Sequence, residues 1–242
     1  MPILAVDAGN SRIKWGLWDG SWSHQGWVAT SELAHLAVEW QMFPAPRLWV
    51  ACSVAAPLVA EWIETWARRS GANLHWVVSQ REQCGVRNGY LDPSQLGADR
   101  WAALIAAHHL VSGAALTTSI GTAVTIDALS QDGQFLGGLI LPGLDLMAEA
   151  LVSGTAGLTR GHGAIALFPR TTADAIASGA VQSICGAIER MERVLARRHG
   201  KPQILLTGGG AEVIRSHLER PAQFVPNLVL EGLRIVVGSE LE

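Results

Sequence analysis

The chain has 242 residues, 49% of them hydrophobic, and a formal net charge of −3, which is enough material for one large or two small domains with a substantial core. No apolar run approaches the ~20 residues of a membrane span, the N-terminus shows no basic leader or signal-type cleavage site, and no Lys/Arg cluster exceeds the pairs Arg68, Arg69 and Arg197, Arg198; neither a membrane nor nucleic acid is expected as a partner. A soluble, cytoplasmic protein is expected, and its three cysteines, Cys52, Cys84 and Cys185, with neither CxxC spacing nor paired histidines nearby, read as reduced thiols.

Residues 3 to 7, about 12 to 19 and about 25 to 30 read as three short strands joined by "GN" and "DG" turns, an antiparallel meander. A helical stretch follows near 32 to 42, then a strand at 48 to 54, a helix at 56 to 70 and a strand at 74 to 79, so the pattern turns to alternating α/β. After a loop at 80 to 96, apolar residues at helical spacing run from 98 to 111, and Gly113 ends them. The second half restarts the same programme. "ALTTSIGTAVTIDALSQDGQFLGGLILPG" gives strand, glycine turn, strand, "DG" turn and strand, with helices expected at 144 to 153 and 172 to 198. "QILLTGGGAEVIRSHL" adds a strand, a glycine-rich turn and a helix start. Aligned by their turns, the two openings set Asp7, Gly9, Asn10 and Ser11 against Ser119, Gly121, Thr122 and Ala123, a long-period internal repeat. All ten tryptophans fall at or before Trp101, so the two halves are packed differently. The expected fold is α/β, with two duplicated domains at 1–113 and 114–242 facing each other across a cleft, a natural ligand site.

The stretch "DAGNSRIK" raises a chemical question. A tight Gly-Asn-Ser turn between strands directs backbone N–H groups outward, and such a nest suits phosphate oxygens. Lys14, one of only two lysines with Lys201, would add a point charge, and Asp7 would face a magnesium ion bound to the phosphates, directly or through water. The other reading is an ordinary hairpin whose Asp caps its own turn. Thr122, in the second glycine turn, supplies the hydroxyl a second phosphate loop would need. In "NGYLDPSQLGADRW", Asp99 and Arg100 open a helix after Gly97, where the helix dipole favours a carboxylate whether or not it does chemistry. Tyr90, the only tyrosine, is a substrate contact or a loop anchor. His108 and His109 are adjacent on a helix and point to different faces, a packing or surface pattern. The "GGG" at 208 to 210 is either a backbone approach to adenine or ribose or a plain tight turn.

"DAGNSRIKWG", "NGYLDPSQLGADR", "GTAVTID", "GGLILPG", "TTADAIASG" and "LLTGGGA" occur in the order found in type III pantothenate kinases, and the chain resembles that family from about residue 3 to residue 235. The resemblance implies two ribonuclease-H-like domains of the sugar kinase, acetate kinase and actin group, a homodimer, and phosphorylation of pantothenate to 4'-phosphopantothenate by ATP with Mg2+, the first step towards coenzyme A. It further implies an ATP-phosphate loop at Asp7, Ala8, Gly9, Asn10, Ser11, Arg12, Ile13 and Lys14, with Thr122 as a second ATP contact. Tyr90, Gly97, Ala98, Asp99 and Arg100 match the pantothenate-binding segment, with Asp99 as catalytic base, and Thr172 matches a substrate threonine reached across the dimer interface. Three positions depart from the pattern. Ser119 stands where an aspartate holds K+ or NH4+, Thr171 where asparagine is usual, and Gly210 where the "GGDA" aspartate is usual. A nucleotide-binding regulatory or accessory protein on the same fold is the alternative function, and a kinase of a sugar or of another hydroxylated acid is a third.

Overall fold

A computed structural model describes residues 2–43, 46–158 and 161–240. In chain order the elements are β1 (Ile3–Ala8), β2 (Arg12–Trp18), β3 (Trp22–Ala29), α1 (Leu33–Trp40), β4 (Leu48–Ser53), α2 (Pro57–Ser70), β5 (Asn73–Trp76), β6 (Glu82–Gln83), β7 (Val86–Arg87) and α3 (Ala98–Leu110). They continue as β8 (Ala115–Ile120), β9 (Ala123–Leu129), β10 (Phe135–Pro142), α4 (Leu144–Gly154), α5 (Thr172–His199), β11 (Gln203–Thr207), α6 (Ala211–Arg215), β12 (Gln223–Phe224) and α7 (Leu228–Glu240). The chain forms two compact units. One holds the chain up to Leu110 and takes it up again from Asn227; the other spans Val111–Pro226.

Each unit is built on a five-stranded sheet of the same topology, β3-β2-β1-β4-β5 in the first and β10-β9-β8-β11-β12 in the second. The three-stranded meander is antiparallel and the remaining strands join in parallel. This is the expected duplication. β1, "ILAVDA", is buried along its length except at Asp7, as a central strand covered on both faces must be. Leu4, Val6 and Ala8 join Ile13, Trp15, Leu17, Trp49 and Ala51 in a core closed by Leu36, Trp40, Val59, Ile63 and Ala67 of α1 and α2. The alternate residues of β1 face the other side, where α3 and α7 pack on each other and α7 reaches β1, β2 and β4. In the second unit, Leu116, Ile120, Val124 and Ile126 meet Val181, Ile184 and Ile188 of α5 and Ala211 and Ile214 of α6.

The C-terminal helix corrects the expected second domain of 114–242, because α7 belongs to the first unit. Trp22 Nε1 donates to Glu231 Oε1, the Arg234 Nε–Glu231 Oε2 ion pair is 3.0 Å long, and the Arg234 guanidinium lies 4.4 Å from the Trp18 ring centroid. These contacts fasten α7 to the β2–β3 hairpin. The hairpin itself starts β3 at Trp22 rather than near 25, since Trp18 pairs with Trp22 across a bulge. Two short strands, β6 and β7, also lie in the expected loop at 80 to 96. No helix among the described residues is long and apolar enough to cross a membrane.

Candidate active site

The strand register sets Cys52, Asp7, Lys14 and Trp27 side by side across β4, β1, β2 and β3, so all four belong to one face of the sheet, the face that carries α3 and α7. Among the described residues Asp7 and Lys14 do not close an ion pair, so the ammonium stays available to another anion. Loss of solvent raises the Asp7 pKa to about 6, the charge of Asp99 adds to the rise, and Lys14 and the Cys52 thiol oppose it. The thiol, fully buried, donates to Asp7 Oδ1 at 3.7 Å. Burial and the two aspartates push its own pKa up, so it keeps its proton. A carboxylate short of solvent and pressed by a second acid is a group that a cation would return to its ionised form.

The turn after β1 is pinned by its neighbours. Gly9 N–H donates to Arg12 O at 3.0 Å, while Thr30 donates from its N–H to Ser11 O at 3.1 Å and from its hydroxyl to Gly9 O at 2.8 Å. Ala8 and Ile13 send their side chains into the core, so they have only backbone to offer a ligand, whereas Asn10, Ser11 and Arg12 are exposed. The Arg12 guanidinium sits 4.3 Å from the Trp27 ring centroid. Thr30 is a support that no motif in the sequence signals.

Asp99 lies in the first turn of α3, and its Oδ1 accepts from Arg100 N–H at 2.8 Å. A Cβ on Gly97 would stand 2.6 Å from that oxygen, so glycine keeps the carboxylate's space open. Arg100 is buried and donates from Nη1 to the Tyr90 hydroxyl at 3.1 Å. Asn88 organises this segment: its Oδ1 accepts from Tyr90 N–H at 3.0 Å, and its Nδ2 donates to Ser79 Oγ at 2.9 Å and to Pro93 O at 3.3 Å. Within the first unit the fold therefore brings Asp7, Lys14 and Asp99 into electrostatic contact and joins Tyr90 to Arg100.

In the second unit Thr207, Ser119 and Thr125 form the row equivalent to Cys52, Asp7 and Lys14. The duplication keeps the geometry here and replaces the charges with hydroxyls. The adjoining turn is cradled from two sides: Gly143 N–H donates to Thr122 O at 2.8 Å and Gly210 N–H to Ile120 O at 3.1 Å. A Cβ on Gly143 would fall 2.2 Å from Gly121 O, so any side chain there displaces the turn. Thr122 is exposed at its tip. Thr172 is exposed at the start of α5, next to the N-cap Thr171, whose hydroxyl accepts from Asp174 N–H at 3.1 Å. Among the described residues no group of three or more His, Cys, Asp or Glu is gathered to hold a metal ion. His109 Nδ1 lies 2.9 Å from Ile105 O within its own helix.

A family model for the type III pantothenate kinase matches residues 3–194. The type III pantothenate kinase of Nitrosospira multiformis is 44% identical over 99% of this chain and 92% of its own length, and that of Aromatoleum aromaticum is 45% identical over 98% of each. Among solved structures, a conserved candidate transcriptional activator of the Baf family from Campylobacter jejuni aligns with a TM-score of 0.65 at 18% identity, covering 98% of both chains. MreB 5 of Spiroplasma citri bound to AMPPNP aligns with a TM-score of 0.53 at 10% identity, covering 99% of this chain and 97% of its own. These two likenesses concern the fold alone. With a matching family model over most of its length and relatives above 40% identity over nearly all of it, the chain belongs to the type III pantothenate kinase family.

Proposed function

We propose that this chain transfers a phosphoryl group from ATP to pantothenate, giving 4'-phosphopantothenate and opening the route to coenzyme A. The observation that carries this reading is the row Asp7–Lys14 on the sheet face that bears α3, with the Asp99 charge felt at Asp7. Phosphoryl transfer from ATP to a hydroxyl needs alignment, neutralisation of the phosphates and a group to take the hydroxyl proton, and little covalent work from the protein. Lys14 and the backbone N–H groups of Asn10 and Ser11 hold the ATP phosphates, in a turn that Gly9 closes by its own hydrogen bond to Arg12 O, and Thr122 adds a hydroxyl contact. Tyr90, Gly97, Ala98 and Arg100 hold pantothenate, the buried Arg100 guanidinium suiting its carboxylate, and Thr172 meets it across the interface of a homodimer. Asp99 accepts the proton of the primary hydroxyl.

A carboxylate oxygen donor fits Mg2+, and Asp7, whose pKa is raised by burial and by Asp99, gains from a cation beside it. When bound, the ion supplies charge neutralisation at the phosphates. Asp7 would hold it, directly or through water.

The homodimer has support in the second unit. Leu167 and Phe168 are 81% and 89% exposed, and the edge strand β10 exposes Leu139 and Ile140. An edge strand carrying apolar side chains invites a partner. A cytoplasmic location is the setting this reading implies.

In its own strand row Ser119 offers a K+ or NH4+ ion no carboxylate, although the buried Asp127 lies two positions beyond Thr125 along β9 on the same face. Ser119 pairs with Thr207 and Thr125, three hydroxyls with no carboxylate among them. Neutral oxygens attract a monovalent ion far less than an anion does. Activity in sodium or Tris buffer is therefore expected to change little, less than about twofold, as K+ or NH4+ is titrated, and activation should appear in Ser119→Asp. Strong activation of the native protein would contradict this.

The function itself is tested by measuring ATP consumption by purified protein with pantothenate and, separately, with sugars. Consumption specific to pantothenate is expected. Tight nucleotide binding without turnover on any of these acceptors would favour a regulatory protein on the same fold.

A further inference from the structure

Asp7 has one hydrogen-bond donor to its carboxylate among the described residues, the Cys52 thiol. The two residues lie 45 positions apart in the chain but directly opposite each other on the parallel strands β1 and β4. Lys14, on the other flank, makes no ion pair with Asp7. No other hydrogen bond among the described residues fixes the rotation of the carboxyl group, and a carboxylate that meets a metal ion works only in a limited range of orientations.

The internal duplication supplies a natural comparison. Thr207 occupies in β11 the place of Cys52 in β4, beside Ser119 in the place of Asp7. Where the carboxylate is missing, the neighbour's donor turns elsewhere: the Thr207 hydroxyl donates to Pro226 O at 3.2 Å. The donor at this register is aimed at the acid only in the unit that has one.

We propose that Cys52 is a positioning residue: its buried thiol holds Asp7 Oδ1 so that the other face of the carboxylate is presented to the Mg2+ of the bound nucleotide. This rests on the reading of Asp7 as the Mg2+-facing acid. The thiol stays protonated and takes no part in proton transfer. Its full burial also removes it from alkylating or oxidising reagents, so its contribution is to geometry alone.

The test is the affinity of the full-length protein for a non-hydrolysable ATP analogue, measured by calorimetry with saturating Mg2+ and again with EDTA. Cys52→Ala and the closer isostere Cys52→Val should weaken binding with Mg2+ about 3- to 10-fold, the effect of one hydrogen bond from a weak donor to an ionised group. Binding in EDTA should be unchanged, a split that a general loosening of the sheet would not produce. Cys52→Ser, which keeps a donor, should lie within about twofold of the native protein. Native-like Mg2+-dependent binding in both Cys52→Ala and Cys52→Val would overturn the proposal, as would a loss in Cys52→Ser equal to that in Cys52→Ala. Asp7→Asn separates the two levels. If it loses the Mg2+ dependence while the Ala and Val variants keep it, the positioning role alone fails. If it keeps the dependence, the reading of Asp7 fails and Cys52 has nothing to position.

Discussion

Asp99→Asn is expected to lower pantothenate turnover by about 10²- to 10⁴-fold, the usual contribution of a general base, with nucleotide affinity retained. The carboxylate opens α3, and the space beside it is kept clear by Gly97, where a Cβ would come within 2.6 Å of Oδ1. The amide keeps this shape and still accepts from Arg100 N–H through its oxygen, but it does not take up a proton. Stopped-flow or initial-rate measurement of ADP release, paired with calorimetry of the nucleotide, separates the two effects. A residual turnover near the native value would mean that Asp99 serves only the helix dipole, the other reading open to an acid in a first turn.

Lys14→Ala is expected to reduce kcat/KM for ATP by about 10²-fold, the scale of one lost charge stabiliser at a reacting centre, and Asp7→Ala to reduce use of Mg2+·ATP comparably. Pantothenate affinity should move little in either variant. Lys14 faces Asp7 across the β1–β2 ladder without pairing to it, so the ammonium is held near the turn but remains free for phosphate oxygens. Unaltered nucleotide binding and activity in both variants would leave β1 and β2 as an ordinary hairpin.

Much of the fold was legible because its signals are local. The "GN" and "DG" turns, the buried β1 run and the restart at "ALTTSIGTAV" mark two copies of one topology. Asp7 and Lys14 stand out in the sequence by their turn and Asp99 by its helix start, but those local signals fit a plain hairpin and a dipole-stabilising acid equally well, and the roles proposed for the three come from the family resemblance. What escaped depends on distant parts of the chain meeting. The helix α7 follows the second unit in sequence, but Trp22 and Trp18 capture its Glu231 and Arg234 in the first. Asn227 before its apolar run "LVLEGLRIVVG" is a helix-start signal, but nothing in that run tells which of the two units the helix joins. Cys52 comes beside Asp7 only through the parallel pairing of β1 with β4. Asn88 and Thr30 act by hydrogen bonds to loop backbone, for which a lone polar residue in a sequence gives no signal. Gly143 reads as a turn residue, yet its function is to let the backbone of the second turn approach.

The most direct measurement is phosphorus NMR and mass spectrometry of a mixture of the purified protein, Mg2+·ATP and pantothenate, with Asp99→Asn alongside. The expected result is stoichiometric ADP and 4'-phosphopantothenate from the native protein and a rate at least about 10²-fold lower from the variant. Hydrolysis of ATP to free phosphate without a phosphorylated acid, or equal product from both proteins, would contradict the assignment.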